Sequence, residues 1–292
     1  MRNYVVKQVN SSASRCDYRP KVYYTATFLV TYVLWLAGAY FSFQDGKSGL
    51  YMLLMLPGLM APFIISVLMI AASKNSELKK DYFNRLTNLR LIRLKMLPAF
   101  FLIMPLSVLV SIVISLPLGG SVSQFQFAEG FSFSTGFVPV LLLLLLAATF
   151  EELGWRGYAF DSLQSRFSLF GATMLFSVLW PLWHFPLIFV NNSYQYQIFH
   201  ESIWFGVNFF VSIIPMGVII SWVCIKNGKS VIAAIAFHFV VNMSQEILAV
   251  SQTTKCIETV VLAVVAAVIV ALDRELFFNS KSFSVEESAQ FA

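Results

Sequence analysis

The sequence predicts an all-α fold, a polytopic membrane helix bundle of about eight transmembrane helices, and three observations carry that expectation. Of 292 residues, 58% are hydrophobic and only 12% charged, with a mean hydropathy of +0.73. An ordinary soluble domain carries about a quarter charged residues. Apolar runs of roughly 20 residues recur along the chain, each long enough to cross a ~30 Å hydrocarbon core. These runs are continuous rather than alternating, which argues against a transmembrane β-barrel. Finally, the basic residues fall into alternate inter-run segments, as the positive-inside rule requires of cytoplasmic loops.

The elements follow in order. A basic tail, residues 1–22, precedes the first apolar run at about 23–43. Ala37-Gly38-Ala39 resembles a signal-peptidase site. The long preceding tail and the full-length run favour an uncleaved anchor instead. Run two, about 50–73, contains Pro57 and Pro62, so a kink is expected. The segment 74–95 holds seven basic residues and has the spacing of an amphipathic surface helix. Run three is about 96–116, and run four starts near Phe137. Runs five to eight are about 169–190, 203–225, 230–249 and 257–272, followed by a polar tail, 273–292. The runs read as one bundle over 23–272, with a catalytic core expected at 137–249.

With the amino terminus inside, 18 of the 20 basic residues lie in cytoplasmic segments, and only Lys47 and Lys255 remain outside. The expectation is an integral protein of a prokaryotic plasma membrane with both termini cytoplasmic. The net charge of +5 is then a matter of topology, not of a nucleic-acid partner. The cysteines, Cys16, Cys224 and Cys256, are scattered and form neither a disulfide framework nor a thiolate metal site.

Some polar residues do not belong in lipid. Glu151 and Glu152 end the apolar run Val138–Phe150, and Arg156 lies four residues after Glu152. His184 lies in run five, and His238 in run seven with Asn242 four residues on, on the same helical face. Such groups are expensive against lipid, so convergence on one interior cavity is the economical arrangement. Glu151 is turned about 100° from Glu152, so the two carboxylates need not share a job. A glutamate beside a histidine can hold and deprotonate a water. A second histidine and an amide can donate to an oxyanion. That inventory suits hydrolysis of an amide by activated water. Each residue also has a plainer use. Glu152–Arg156 is a feasible helix-face ion pair, His184 could bond a carbonyl freed near Pro181, and His238 and Asn242 could be interhelical glue. Glu246 continues the same face near the outer end of its helix, where an interfacial structural role is expected.

Three motifs follow one another on separate helices: Glu151-Glu152-Leu-Gly-Trp-Arg156, Trp180-Pro-Leu-Trp-His184 and His238-Phe-Val-Val-Asn242. In order and spacing they resemble the CPBP intramembrane proteases, which include the type II CAAX prenyl endopeptidases and the bacteriocin-processing, Abi-like proteins. Trp180 departs from the Phe common in that family. The resemblance implies eight helices around a cytoplasm-facing cavity and an endopeptidase acting on a peptide or prenylated protein, with membrane lipid as a further partner. It implies Glu151 as the base with help from His184, His238 and Asn242 as the oxyanion site, and Glu152 and Arg156 as support. Trp155 and Trp180 are expected to line the substrate. No cofactor is expected; the alternative is zinc held by Glu151, His184 and His238. Two other readings stay open: a non-catalytic immunity or scaffolding member of the same family, and a proton-coupled transporter. The linear depths of His184 and His238 differ by roughly 10 Å. Convergence therefore requires helix four to continue past Arg156 to about Phe160, and helix five to tilt or to begin outside the membrane.

Overall fold

The computed structural model describes residues 18–46, 48–130, 139–191 and 193–278. Cys16, most of the basic tail, the start of run four and nearly all of the C-terminal tail lie outside the described residues.

The chain forms α1 (Pro20–Ser42), α2 (Ser48–Ala72), α3 (Ser76–Thr87), α4 (Leu97–Ser115), α5 (Val140–Gly154) and α6 (Phe160–Gln164). It continues with α7 (Leu169–Trp183), α8 (Tyr194–Glu201), α9 (Ile203–Lys226), α10 (Val231–Ile247), α11 (Gln252–Leu272) and α12 (Arg274–Phe278). Among the described residues the one β contact is an isolated antiparallel bridge, Phe127 with Leu248. Among the described residues six helices are long and apolar enough to cross a membrane: α1, α2, α4, α7, α9 and α11, with short 3₁₀ extensions on α4 and α7. α5 and α10 are apolar but shorter.

The boundaries have local causes. Pro20 opens α1, where its missing N–H costs nothing. Asn75 caps α3, accepting from the N–H groups of Glu77 and Leu78. A serine caps each helix from α7 to α11: Ser168, Ser193, Ser202, Ser230 and Ser251 each accept a first-turn N–H. Pro62 cannot donate to the carbonyl of Gly58 in α2, and Thr31 Oγ1 on α1 takes that acceptor at 3.0 Å. Trp183 Nε1 in turn donates to Thr31 Oγ1 at 2.9 Å, tying α7 to the same place.

Packing from neighbour to neighbour closes a ring of eight helices, in the order α1, α2, α5, α10, α4, α11, α9, α7 and back to α1. The amphipathic α3 lies against α10 and the segment after α5. α2 and α5 meet at Gly154, where an added Cβ would stand 2.4 Å from the backbone of Pro62. Only a glycine permits so close an approach, and it is two residues from Glu152.

The helix carrying the two glutamates does continue past Arg156. Trp155–Ala159 form a single π-helical stretch joining α5 to α6. Such π-bulges redirect side chains and are frequent at functional sites. The segment is buried along its whole length.

Candidate active site

The ring's interior is where α5, α7 and α10 send their polar side chains. Glu151 and Glu152 are 6% and 0% exposed, Arg156 1% and His238 5%. Burial on this scale forces each charge to find a partner.

Glu151 points to α7. Its Oε2 accepts from Trp180 Nε1 at 2.8 Å, while Oε1 has no hydrogen bond among the described residues. Glu152 points to α10. Its Oε1 accepts from His238 Nδ1 at 2.9 Å, and its Oε2 is 3.2 Å from Arg156 Nη1, in charge contact without hydrogen-bond alignment. Arg156 Nη2 also donates to Ser221 Oγ on α9 at 3.3 Å. Its guanidinium carbon lies 4.1 Å from the centre of the Phe176 ring, a cation–π contact on a buried charge.

Trp180 is the common neighbour. Its ring is 5.3 Å from that of His238, nearly perpendicular, and 6.3 Å from that of His184. His184 itself sits at the C-terminal end of α7, where its own N–H turns to the carbonyl of Pro181. The Trp180 carbonyl is left to His184 Nδ1 at 3.0 Å. That is the carbonyl bond the plainer reading of His184 anticipates. A carbonyl only accepts, so Nδ1 carries the proton and the neutral ring presents Nε2 as its lone pair. The carboxylate of Glu152 likewise assigns the proton to Nδ1 of His238, leaving Nε2 free.

Asn242 lies one turn beyond His238 on α10, half-buried, with no hydrogen bond to any described residue. Trp155, expected beside the substrate, is 1% exposed inside an aromatic core formed with Tyr23, Tyr24, Phe176 and Trp183. Zinc is a poorer fit to this arrangement. Among the described residues no three carboxylate, imidazole or thiolate groups come close enough to hold one metal ion. One oxygen of Glu151 is already committed to an indole N–H.

Sequence reasoning misses Arg85. It counts as one of the loop's topological charges, yet it is fully buried. Its Nη1 and Nη2 donate to the carbonyls of Arg156 and Gly157 at 2.9 and 3.0 Å, gripping the π-helical stretch from outside. Asp81 and Asp161 lie 2.8 and 2.9 Å from the same guanidinium, and Lys229 reaches Asp161 at 3.0 Å. The Asp81–Arg85 spacing of four residues on an amphipathic helix is the signal that could have found it.

The fold and site thus define a polytopic helical membrane protein with a buried carboxylate–imidazole–indole centre. A family model for Rce1-like type II CAAX prenyl endopeptidases matches residues 133–244, which span all three motifs. A protein of Methanococcus maripaludis named CAAX prenyl protease 2 is 67% identical over 266 residues, covering 91% of this chain and 98% of its own. The chain belongs to the Rce1-like family of type II CAAX prenyl endopeptidases.

Proposed function

We propose that the protein is an intramembrane endopeptidase that removes the C-terminal tripeptide from a prenylated protein, by attack of a water activated at Glu151. The observation that carries this reading is the division of labour between the adjacent carboxylates. Glu151 is anchored through one oxygen with the other uncommitted, while Glu152 is consumed in holding His238 and Arg156. The family membership and the name of the close relative supply the substrate class.

In this scheme Glu151 Oε1 takes a proton from water as the oxygen adds to the scissile carbonyl. Nε2 of His184 shares in holding that water. The developing oxyanion is met by the Asn242 amide and by His238, whose donor at Nε2 requires the imidazolium that Glu152 would stabilise. Collapse breaks the C–N bond, and the proton held at Glu151 passes to the departing amine. Trp180 supplies an apolar wall for the substrate. The scheme needs no metal.

We place eight crossings in a prokaryotic plasma membrane, the six long helices with α5 and α10, and both termini on the cytoplasmic side. The positive-inside count and the closed ring of eight support this.

The test is cleavage of a farnesylated peptide by purified protein in liposomes. Glu151→Gln is expected to abolish cleavage while the protein stays folded and inserted. Normal cleavage by that variant would remove Glu151 from its role. Dialysis against a zinc chelator is expected to leave the wild-type rate unchanged. A loss of rate that added zinc restores would overturn the metal-free scheme.

A further inference from the structure

The segment that joins α3 to α4 is held in a defined shape. It forms two 3₁₀ turns, Leu89–Leu91 and Leu94–Met96. The Asn88 side chain accepts from the N–H of Arg90 at 3.1 Å, and the N–H of Arg93 donates at 2.8 Å to Asn227 Oδ1, in the turn between α9 and α10. Leu91 and Met96 point into the protein, 4% and 9% exposed. Leu89 and Leu94 point out, 64% and 78% exposed, each with an exposed cation next in sequence, Arg90 and Lys95. The sequence has no acidic residue between Asp81 and Glu129.

Leu94 also marks where the bilayer begins. Residues Leu94–Leu118 form one apolar span. Leu94, Pro98 and Phe101 lie at i, i+4 and i+7 on one face, and all three are exposed. That face of α4 looks at lipid tails, so the linker before it lies at the level of the headgroups. The positive-inside rule accounts for basic residues in such a loop. It does not account for leucines held outward beside them. A leucine held out into water gains nothing, whereas in the upper acyl layer its apolar surface leaves water. Cations interleaved with outward apolar side chains are the pattern of a surface that lies on anionic lipid.

We propose that the α3–α4 linker binds an anionic phospholipid, with Leu89 and Leu94 among the upper acyl carbons and Arg90 and Lys95 on the lipid phosphate. A guanidinium fork and an ammonium both suit phosphate oxygens. A soluble phosphate would leave the two leucines in water. A lipid satisfies all four side chains, because the patch runs directly into the lipid-facing stripe of α4. This site is independent of the protease reading.

The experiment titrates the detergent-solubilised full chain with phosphatidylglycerol or with phosphatidylcholine and reads the bound lipid by native mass spectrometry. Wild type is expected to bind the first phosphatidylglycerol roughly 10- to 30-fold more tightly, the combined effect of two cations at an anionic surface. The double variant Arg90→Gln, Lys95→Gln is expected to bring the two lipids to within about threefold of each other. The exchange Arg90→Lys, Lys95→Arg is expected to keep the preference. The double variant Lys74→Gln, Lys80→Gln removes the same charge from the same loop and is expected to keep it too. Equal losses in the two glutamine variants would mean a diffuse charge effect and overturn the site. So would a preference that survives Arg90→Gln, Lys95→Gln, or equal binding of the two lipids by wild type. Glycerol phosphate, the headgroup chemistry without chains, is expected not to displace the lipid; displacement at matched concentration would make this a soluble-anion site and overturn the role of the leucines.

Discussion

Glu152 accepts the Nδ1 proton of His238 at 2.9 Å, joining α5 to α10 across 86 residues of chain. Its neighbour Glu151 is bound to α7 instead, through Trp180. Consecutive residues on a helix diverge by about 100°, and here that divergence gives two carboxylates two different neighbours. Substituting each separates their roles. In Glu151→Gln the amide oxygen can still accept from Trp180, so thermal stability in detergent is expected to stay within about 2 °C. The cleavage rate should fall by about 10²- to 10⁴-fold, the range of a lost general base. Glu152→Gln leaves Arg156 buried without a counter-charge, which costs about 3–5 kcal/mol. A clear fall in melting temperature is expected alongside the loss of activity. Equal melting temperatures in the two variants would contradict the division.

Trp180→Phe keeps the aromatic wall and removes the N–H that anchors Glu151. A hydrogen bond to a charged group contributes about 1.5–3 kcal/mol, so kcat is expected to drop by about 10-fold or somewhat more, without being abolished. The melting temperature should change little, since the ring still fills its place beside Phe176, 5.7 Å away. Initial rates on a fluorogenic prenylated peptide would measure this. A wild-type rate would show that the indole bond does not position Glu151.

The helices were legible because lipid imposes one rule on every crossing. Each apolar run from the first to the eighth corresponds to a helix; most described ends agree to within a few residues, but the fifth ends at Trp183 with only a 3₁₀ turn, Phe185–Phe189, beyond it, and the eighth begins at Gln252, five residues early. The site was legible as an anomaly of charge, which brought forward Glu151, Glu152, Arg156, His184 and His238. What remained hidden depends on single turns. Counting residues gives depth along an ideal helix and cannot show that α7 ends at Trp183, or that Trp180, one turn before His184, is the residue that meets Glu151. Nothing in Trp-Arg-Gly-Tyr-Ala marks a π-helical stretch. Arg85 was hidden because an arginine in a basic loop is explained by topology before burial is considered.

The crossing of α2 and α5 gives a test of packing beside the site. A Cβ at Gly154 would stand 2.4 Å from the carbonyl carbon of Pro62 and 2.6 Å from its oxygen, backbone atoms that cannot swing aside. Gly154→Ala is expected to destabilise by about 1–3 kcal/mol through overpacking and to lower activity, because the displaced segment carries Glu151 and Glu152. Gly49→Ala is the control: it lies on α2 with nothing within 4 Å of the added carbon. Thermal unfolding and cleavage by the two variants, side by side, measure the difference. If Gly154→Ala were as stable and active as Gly49→Ala, the close approach would not matter to the site.

The last prediction concerns the brace behind the site, where the two aspartates on Arg85 behave oppositely. Burial alone would raise the carboxyl of Asp161, but the Lys229 ammonium and the Arg85 guanidinium outweigh it and hold the group below the usual carboxylate range. Burial dominates at Asp81 and raises it, against the pull of Arg85. The linkage follows from those signs. Asp161 contributes stability that is fully present above its unfolded value of about 4 and is lost as pH falls through its lower folded value. Asp81 contributes in the other sense, favouring the fold at acid pH and losing that contribution as pH rises through its raised value. At pH 7, Asp161→Asn is therefore expected to cost about 3 kcal/mol by leaving Arg85 and Lys229 undercompensated, whereas Asp81→Asn should cost less than about 1 kcal/mol or stabilise slightly. Arg85→Met, which frees the carbonyls of Arg156 and Gly157, should lose most activity as well as stability, because the π-helical stretch that aims Arg156 at Glu152 loses its hold. Melting temperatures of the three variants between pH 4 and pH 8 check the signs. A greater loss from Asp81→Asn than from Asp161→Asn at pH 7 would show that the brace is held by the wrong carboxylate.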